Sequence, residues 1–183
     1  MTSYADFLQS KRRLWSGVGT AGNAALSPVL YQWQADITKW ALRKGRAAIF
    51  ADCGLGKTFM QLSWAASMGQ RTLIFAPLCV AEQTISEGAK LGIAVQYVRD
   101  QAEADKSERR IVISNYDRLD KFDAGKFGSV VLDESSILKS FDGKTRTRLI
   151  EMFSGTPYRL CCTATPSPND IAELANHAEF LGL

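Results

Sequence analysis

The segment AAIFADCGLGKTFMQLSWA, residues 47–65, constrains this chain more than any other. A short apolar run leads into Asp52-Cys53-Gly54-Leu55-Gly56-Lys57-Thr58, and a stretch with helical spacing follows. This is the pattern of a phosphate-binding loop, GxxxxGK[ST], with Ala51 where the first glycine usually stands. Gly54 and Gly56 let the backbone turn successive N–H groups inward as an anion nest, and the helix starting near Lys57 adds its positive dipole end. Lys57 then sets an ammonium against the β- and γ-phosphates of a nucleoside triphosphate, and the Thr58 hydroxyl can ligate Mg²⁺.

Around this loop, short apolar runs alternate with helical stretches. The runs are 47–51, 72–76, 93–98, 111–114, 129–133 and 158–164, several of them apolar at consecutive positions, as expected of strands covered on both faces. Helical spacing is found over Tyr31–Lys44, Lys57–Met68, Val80–Lys90, Thr145–Phe153 and Asn169–Leu181. In the first of these, Trp33, Ile37, Trp40, Ala41 and Leu42 form one apolar face, the one expected to be buried. The alternation predicts an α/β domain with a parallel sheet and ligands at the carboxyl ends of its strands. Residues 1–28 read separately, as a helix over about 4–15 (Tyr4, Phe7, Leu8 and Trp15 on one face) and a Gly/Ala/Ser-rich linker; the main domain is 29–183. That helix is suited to docking on another part of the protein, with Trp15 as an anchor.

With 183 residues, 46% hydrophobic and 22% charged, the chain suits one ordinary core and excludes a disordered or fibrous protein. No apolar run approaches a membrane span, and the amino terminus lacks a secretory pattern. Four cysteines without CxxC spacing and a single histidine, His177, argue against a zinc site or disulfide scaffold and for a reducing cytoplasm. A net charge of +3 permits a polyanionic partner without requiring one. Lys144–Arg148 is the favoured basic segment for such a partner, with Lys139, Lys11–Arg13 and Arg43, Lys44 and Arg46 as others; the alternative for each is a solvated helix face.

The run SVVLDESS supplies the complementary acids. A strand ending in Asp133-Glu134 delivers both carboxylates to the ligand edge of the sheet. There Asp133 can hold Mg²⁺ through water, and Glu134 can orient and deprotonate an attacking water.

Taken in order, these segments resemble the superfamily-two helicases and translocases, in particular the branch of chromatin-remodeller-like and phage helicases. LYQWQ (30–34) resembles the Q motif, ADCGLGKT motif I, LIFAPLCVAEQ (73–83) motif Ia, VISNYDRL (112–119) motif Ib, VVLDESS motif II and CCTATP (161–166) motif III. The resemblance implies a RecA-like sheet flanked by helices, forming the first lobe of an ATP-dependent, Mg²⁺-using motor that acts on DNA, with RNA also possible. It implies that Gln34 reads the adenine edge, and that Pro77, Leu78, Ser114, Asn115 and Tyr116 touch a nucleic-acid backbone. Thr163 and Thr165 would couple nucleotide state to domain movement. A phage or mobile-element origin, and hence a bacterial host cytoplasm, also follows from it.

Two departures qualify the match. The fourth residue of motif II, usually His in this branch, is Ser136, so its link to motif III is lost or runs through a hydroxyl. The motifs of the second RecA-like lobe, with its arginine finger, do not occur before Leu183. That lobe is expected in a longer chain or a separate subunit, and the domain alone is expected to bind Mg·ATP yet turn it over very slowly. The rival expectation is a non-catalytic, nucleotide-responsive module that binds nucleic acid or protein.

Overall fold

The computed structural model describes residues 17–20, 26–139, 143–167 and 169–183. Its centre is a six-stranded sheet of β1 (Arg46–Phe50), β2 (Thr72–Ala76), β3 (Val95–Tyr97), β4 (Ile111–Asn115), β5 (Ser129–Asp133) and β6 (Tyr158–Thr163). The strand order is β1-β6-β5-β2-β4-β3, and every pairing is parallel. Helix α1 (Gln32–Lys44) precedes the first strand, α2 (Lys57–Met68), α3 (Ala81–Lys90), α4 (Gln101–Lys106) and α5 (Lys144–Phe153) lie between strands, and α6 (Leu174–Leu181) follows the last, with several 3₁₀ turns.

The continuous apolar runs are explained by two separate cores. Ile74, Ile113, Val131, Leu160 and Cys162 pack with Leu42, Met60 and Trp64 of α1 and α2. The alternate residues Leu73, Phe75, Val112, Leu132 and Cys161 pack with Phe153 and Phe180 of α5 and α6. Strand periodicity thus sends neighbours to opposite faces, and both faces are covered. Cys161 and Cys162 are consequently divided between the two cores. All six expected strands occur. The third is confined to Val95–Tyr97, because Ile93 donates to Gly88 O and serves as part of the end of α3.

In α1 the buried face differs from expectation. Gln34, Thr38, Ala41 and Leu42 are buried, whereas Trp33 and Trp40 remain about two-fifths exposed. The polar members tolerate burial because their hydrogen bonds are made: Thr38 Oγ1 donates to Gln34 O at 2.8 Å. Helix α4 was not anticipated, although Asp100 and Glu103 form a capping pair. Asp100 Oδ1 accepts from Glu103 N, and Glu103 Oε2 accepts from Arg99 N. At the carboxyl end, the expected helix from Asn169 begins instead as a 3₁₀ turn, Ile171–Glu173, because Asp170 caps Ala172 N.

The expected helix over 4–15 lies outside the described residues. Part of the predicted linker, residues 17–20, is laid against the end of α1: Val18 N donates to Lys44 O and Thr20 N to Leu42 O, both at 3.0 Å. These two carbonyls lack partners within their own helix. A Cβ on Gly19 would sit 1.8 Å from Leu42 O, so only glycine permits the approach. The exchange Gly19→Ala should therefore strip the amides of Val18 and Thr20 of their protection in hydrogen exchange. It should also lower stability by about 1–3 kcal/mol in urea denaturation, the usual range for overpacking.

Candidate active site

Because every strand is parallel, the carboxyl ends of β1, β6, β5, β2 and β4 lie along one edge. The loop after β1 carries Asp52–Gly56, and α2 begins at Lys57. Gly54 (φ 79°) and Gly56 (φ 73°) are both left-handed, a conformation that side chains resist. Gly56 is required for a second reason, since a Cβ there would lie 2.4 Å from Gln34 Nε2. Lys57 is 9% exposed and its ammonium donates to Ala51 O at 3.0 Å and Asp52 O at 3.2 Å. Asp52 Oδ1 accepts from Cys53 N at 2.7 Å, stiffening the first part of the turn. Leu55 and Cys53 point to solvent.

The acids arrive from β5. Lys57, Thr58, Asp133 and Glu134 line one cleft of about 500 Å³ together with Gly54 and Gly56. Burial pushes the Asp133 carboxyl up; the Gln61 amide pulls it down, Glu134 adds repulsion, and Lys57 partly compensates. The Gln61 amide, one turn beyond Lys57, lies near enough to Asp133 to lower its pKa, yet neither of its buried polar atoms completes a hydrogen bond of ordinary length and angle. Glu134 is the sole non-glycine with positive φ among the described residues, at 50°. That conformation costs about 1–2 kcal/mol for an L-residue and has to be held by its surroundings. Its carboxylate accepts from Thr163 Oγ1 at 3.3 Å, and its N–H donates to Asp133 Oδ1 at 3.0 Å. Thr163 lies on β6, the strand between β1 and β5, and its carbonyl accepts from Ala51 N. One residue thus touches both the phosphate-type loop and the acidic turn. Thr165 is exposed, and its N–H donates to Thr163 Oγ1 at 3.1 Å.

These residues fit a magnesium-bound nucleoside triphosphate. Among the described residues no three His, Cys, Asp or Glu could hold a metal by themselves. Mg²⁺ binds commonly through one or two protein oxygens plus water and phosphate, and Thr58 and Asp133 supply oxygens of that hard type. The amide of Gln61 beside Asp133, without a completed hydrogen bond, is a polar group in need of an aqueous or anionic neighbour.

Gln34 is 4% exposed, with both ends of its amide engaged: Oε1 accepts from Tyr31 N at 3.0 Å and Nε2 donates to Leu55 O at 3.1 Å. One N–H and one lone pair remain to it. Of the residues expected to meet a nucleic-acid backbone, Pro77, Leu78, Asn115 and Tyr116 line a second cleft of about 480 Å³, with Lys139 and the other side of Glu134. Ser114 is fully buried in β4 and is not among that lining. Asn115 is held by Tyr97 Oη, which donates to its Oδ1, and by Asp117, which accepts from its Nδ2. The Tyr116 hydroxyl donates to Asp133 O at 2.6 Å. In the favoured basic cluster, Arg146 is bonded to Asn176 and Glu179, and Arg148 pairs with Asp120.

Sequence reasoning missed two contacts. His177 Nε2 lies 3.1 Å from Ser135 Oγ, tying the acidic turn to α6, and burial lowers the imidazole pKa. The only signal was a lone histidine far along the chain. Gln61 was the second residue missed, although its signal was there: it is the next residue on the Lys57 face of the helix.

The raised pKa of Asp133 fixes the sign of a stability effect. A carboxyl whose folded pKa lies above its unfolded value contributes stability below the ordinary carboxyl range and loses it as pH rises through the folded value. Asp133→Asn should therefore melt higher than wild type at pH 7, and the difference should close as pH falls through the carboxyl range.

Comparison with known proteins agrees with this architecture. The SNF2-related domain family matches residues 26–183. Protein p41 of Acyrthosiphon pisum secondary endosymbiont phage 1 is 30% identical over 74% of this chain and 35% of its own length. The chain therefore spans about a third of that relative. Among solved structures, the Sulfolobus solfataricus SWI2/SNF2 ATPase core in complex with dsDNA superposes with a TM-score of 0.70 at 21% identity, covering 86% of this chain and 36% of that one. The UvsW helicase from bacteriophage T4 gives 0.66 at 14% identity, covering 97% and 66%. The chain belongs to the SNF2-related domain family and has a RecA-like fold.

Proposed function

We propose that this domain is the ATP-binding half of an ATP-dependent DNA helicase or translocase, hydrolysing ATP once a second RecA-like lobe completes the site. The observation that best supports this is the meeting of Lys57 and the left-handed glycine turn with Asp133 and Glu134, from another strand, in a single cleft. On this reading, the amides of the turn and the amino end of α2 grip the phosphates, and Lys57 exchanges two loop carbonyls for phosphate oxygens. Thr58 and Asp133 hold Mg²⁺, which when bound neutralises phosphate charge. Glu134 aligns the attacking water and takes its proton, with its carboxylate held by Thr163. Gln34 has one donor and one acceptor left for adenine. Thr163, touching both the loop and Glu134, carries the nucleotide state to the rest of β6, with Thr165 beyond it.

The second cleft suits a polynucleotide backbone. It joins Pro77 and Leu78 to Lys139 and opens onto the far side of Glu134. Backbone contacts of this kind carry little base information, so RNA is compatible as well. The solved relative from Sulfolobus is itself a complex with dsDNA. Since p41 is about three times as long as the matched region, the second lobe belongs in a longer chain or in a partner subunit. The phage relative is in keeping with work in a bacterial host cytoplasm. Among the described residues no helix is long and apolar enough to cross a membrane.

Calorimetry decides the first half of this reading. Wild type should take up Mg·ATP, Lys57→Ala should weaken uptake at least about tenfold, a loss of 1.4 kcal/mol or more, and Glu134→Gln should retain it. The isolated domain should hydrolyse ATP about 10³–10⁵-fold more slowly than protein completed by the second lobe and its arginine. Glu134→Gln should abolish the completed activity. No uptake of Mg·ATP by wild type would overturn the reading, and uptake without hydrolysis by the completed protein would make the domain a binding module.

A further inference from the structure

The peptide unit joining Asp133 to Glu134 is held at both of its polar atoms. Its carbonyl oxygen accepts the Tyr116 hydroxyl at 2.6 Å, and its N–H donates to Asp133 Oδ1 at 3.0 Å. The φ angle of Glu134 is the rotation of that same peptide plane about the following N–Cα bond. A plane pinned at both edges therefore sets where Glu134 points. The value held is +50°, in the region an L-side chain avoids. Tyr116 is itself well anchored: its ring stacks on Phe75, with centroids 5.8 Å apart and an interplanar angle of 24°. Phe75 in turn packs edge-on against Phe122 and Phe153 of the buried core. The phenol is the donor in this pair, because a carbonyl oxygen can only accept.

We infer that Tyr116 is a positioning residue, whose hydroxyl clamps the 133–134 peptide and keeps Glu134 in its left-handed conformation. Tyr116 also forms wall in two clefts away from the phosphate-type loop, one with Pro77, Leu78 and Lys139 and one with Asp120, Lys144 and Arg148. A strand lying there presses on the ring whose oxygen aims the carboxylate. Occupancy of those clefts is thereby read at Glu134 without any contact between strand and nucleotide. This second statement rests on the proposed nucleic-acid and nucleotide reading; the clamp itself does not.

Backbone resonances of Asp133 and Glu134 in the free chain read the clamp directly. Tyr116→Phe keeps the stacked ring and removes one oxygen, and should move the Glu134 Cα and amide shifts from left-handed values toward right-handed or extended ones. Tyr97→Phe, which deletes the neighbouring phenol from Asn115, should leave them in place. Glu134 shifts that are the same in Tyr116→Phe as in wild type overturn the clamp. If Tyr116→Phe fails to fold, wild type still decides: left-handed Glu134 shifts with a tyrosine hydroxyl proton protected from exchange support it, and their absence overturns it. For the reading of cleft occupancy, the affinity of wild type for Mg·ATP should change at least about fivefold with saturating oligonucleotide. In Tyr116→Phe it should change less than about twofold. A wild type that binds both ligands without linkage, or a variant that keeps the linkage, overturns it. A wild type that takes up no Mg·ATP defeats the nucleotide reading and the cleft-occupancy statement with it, and the resonances alone then judge the clamp.

Discussion

Burial of the sheet on both faces is the constraint from which the rest follows. With Leu73, Phe75, Val112, Val130 and Leu132 turned to one core and Ile74, Ile113, Val131 and Leu160 to the other, the strands offer polar groups no exit along their length. Unpaired polar groups buried there would each cost about 1–3 kcal/mol. Apart from Ser114, buried in β4, and Arg159, whose guanidinium is bonded to Thr156 O and Ser154 O, the polar side chains that line the cleft gather where the strands end, and parallel pairing brings these ends to one edge. Asp133, Thr163 and Asn115 are each the last residue of their strand. The chemistry sits at that edge because the fold leaves it nowhere else to sit.

At this edge the protein satisfies its own charges before any ligand arrives. Lys57 rests on two loop carbonyls, Gln34 spans Tyr31 and Leu55, and Thr163 bonds Glu134. Such bonds hold side chains within a short reach of where phosphate and water would lie, so little ordering remains to be done on binding. They also mean that a ligand must compete with carbonyl groups for Lys57, which an anion does readily because charge-assisted bonds are stronger than neutral ones. Asp133 and Gln61 are the exceptions. A carboxyl with its pKa raised by burial and an amide without a completed hydrogen bond are both less stable as they stand than they would be beside a cation and its water.

Much of this was readable from residues because local physics dominated. Consecutive apolar positions in TLIFA and SVVLD announce strands buried on both faces, and the glycines at 54 and 56 announce positive φ before any coordinates are seen. What stayed hidden depends on which oxygen a side chain meets across the fold. Tyr116 resembles a residue that touches a backbone phosphate, yet its hydroxyl is bonded to Asp133 O, seventeen positions away. Arg146 and Arg148 look like a free basic patch, yet each has an acidic partner brought by another element. The tryptophans of α1 looked like core residues and are half out, because Gln34 and Thr38 turn inward to bond the backbone instead. Periodicity cannot foresee a polar residue that wins a buried place by finding a partner.

The missing histidine of motif II shows how such partners can be rearranged. Ser136, which stands in its place, faces the second cleft, so it opens that side of the turn and does not join it to motif III. The join is made by other atoms. Thr163 Oγ1 reaches Glu134 directly, and His177 reaches Ser135 from α6, with its ring edge-on to Phe50 at the end of β1. The acidic turn is therefore braced from β6 on one side and from α6 on the other, and Tyr116 holds its peptide from the 3₁₀ turn that follows β4. Three elements from three parts of the chain converge on three consecutive residues, 133–135. A turn held this way has few conformations of similar energy, which is the condition for a strained Glu134 to persist in a protein whose total stability is only about 5–15 kcal/mol.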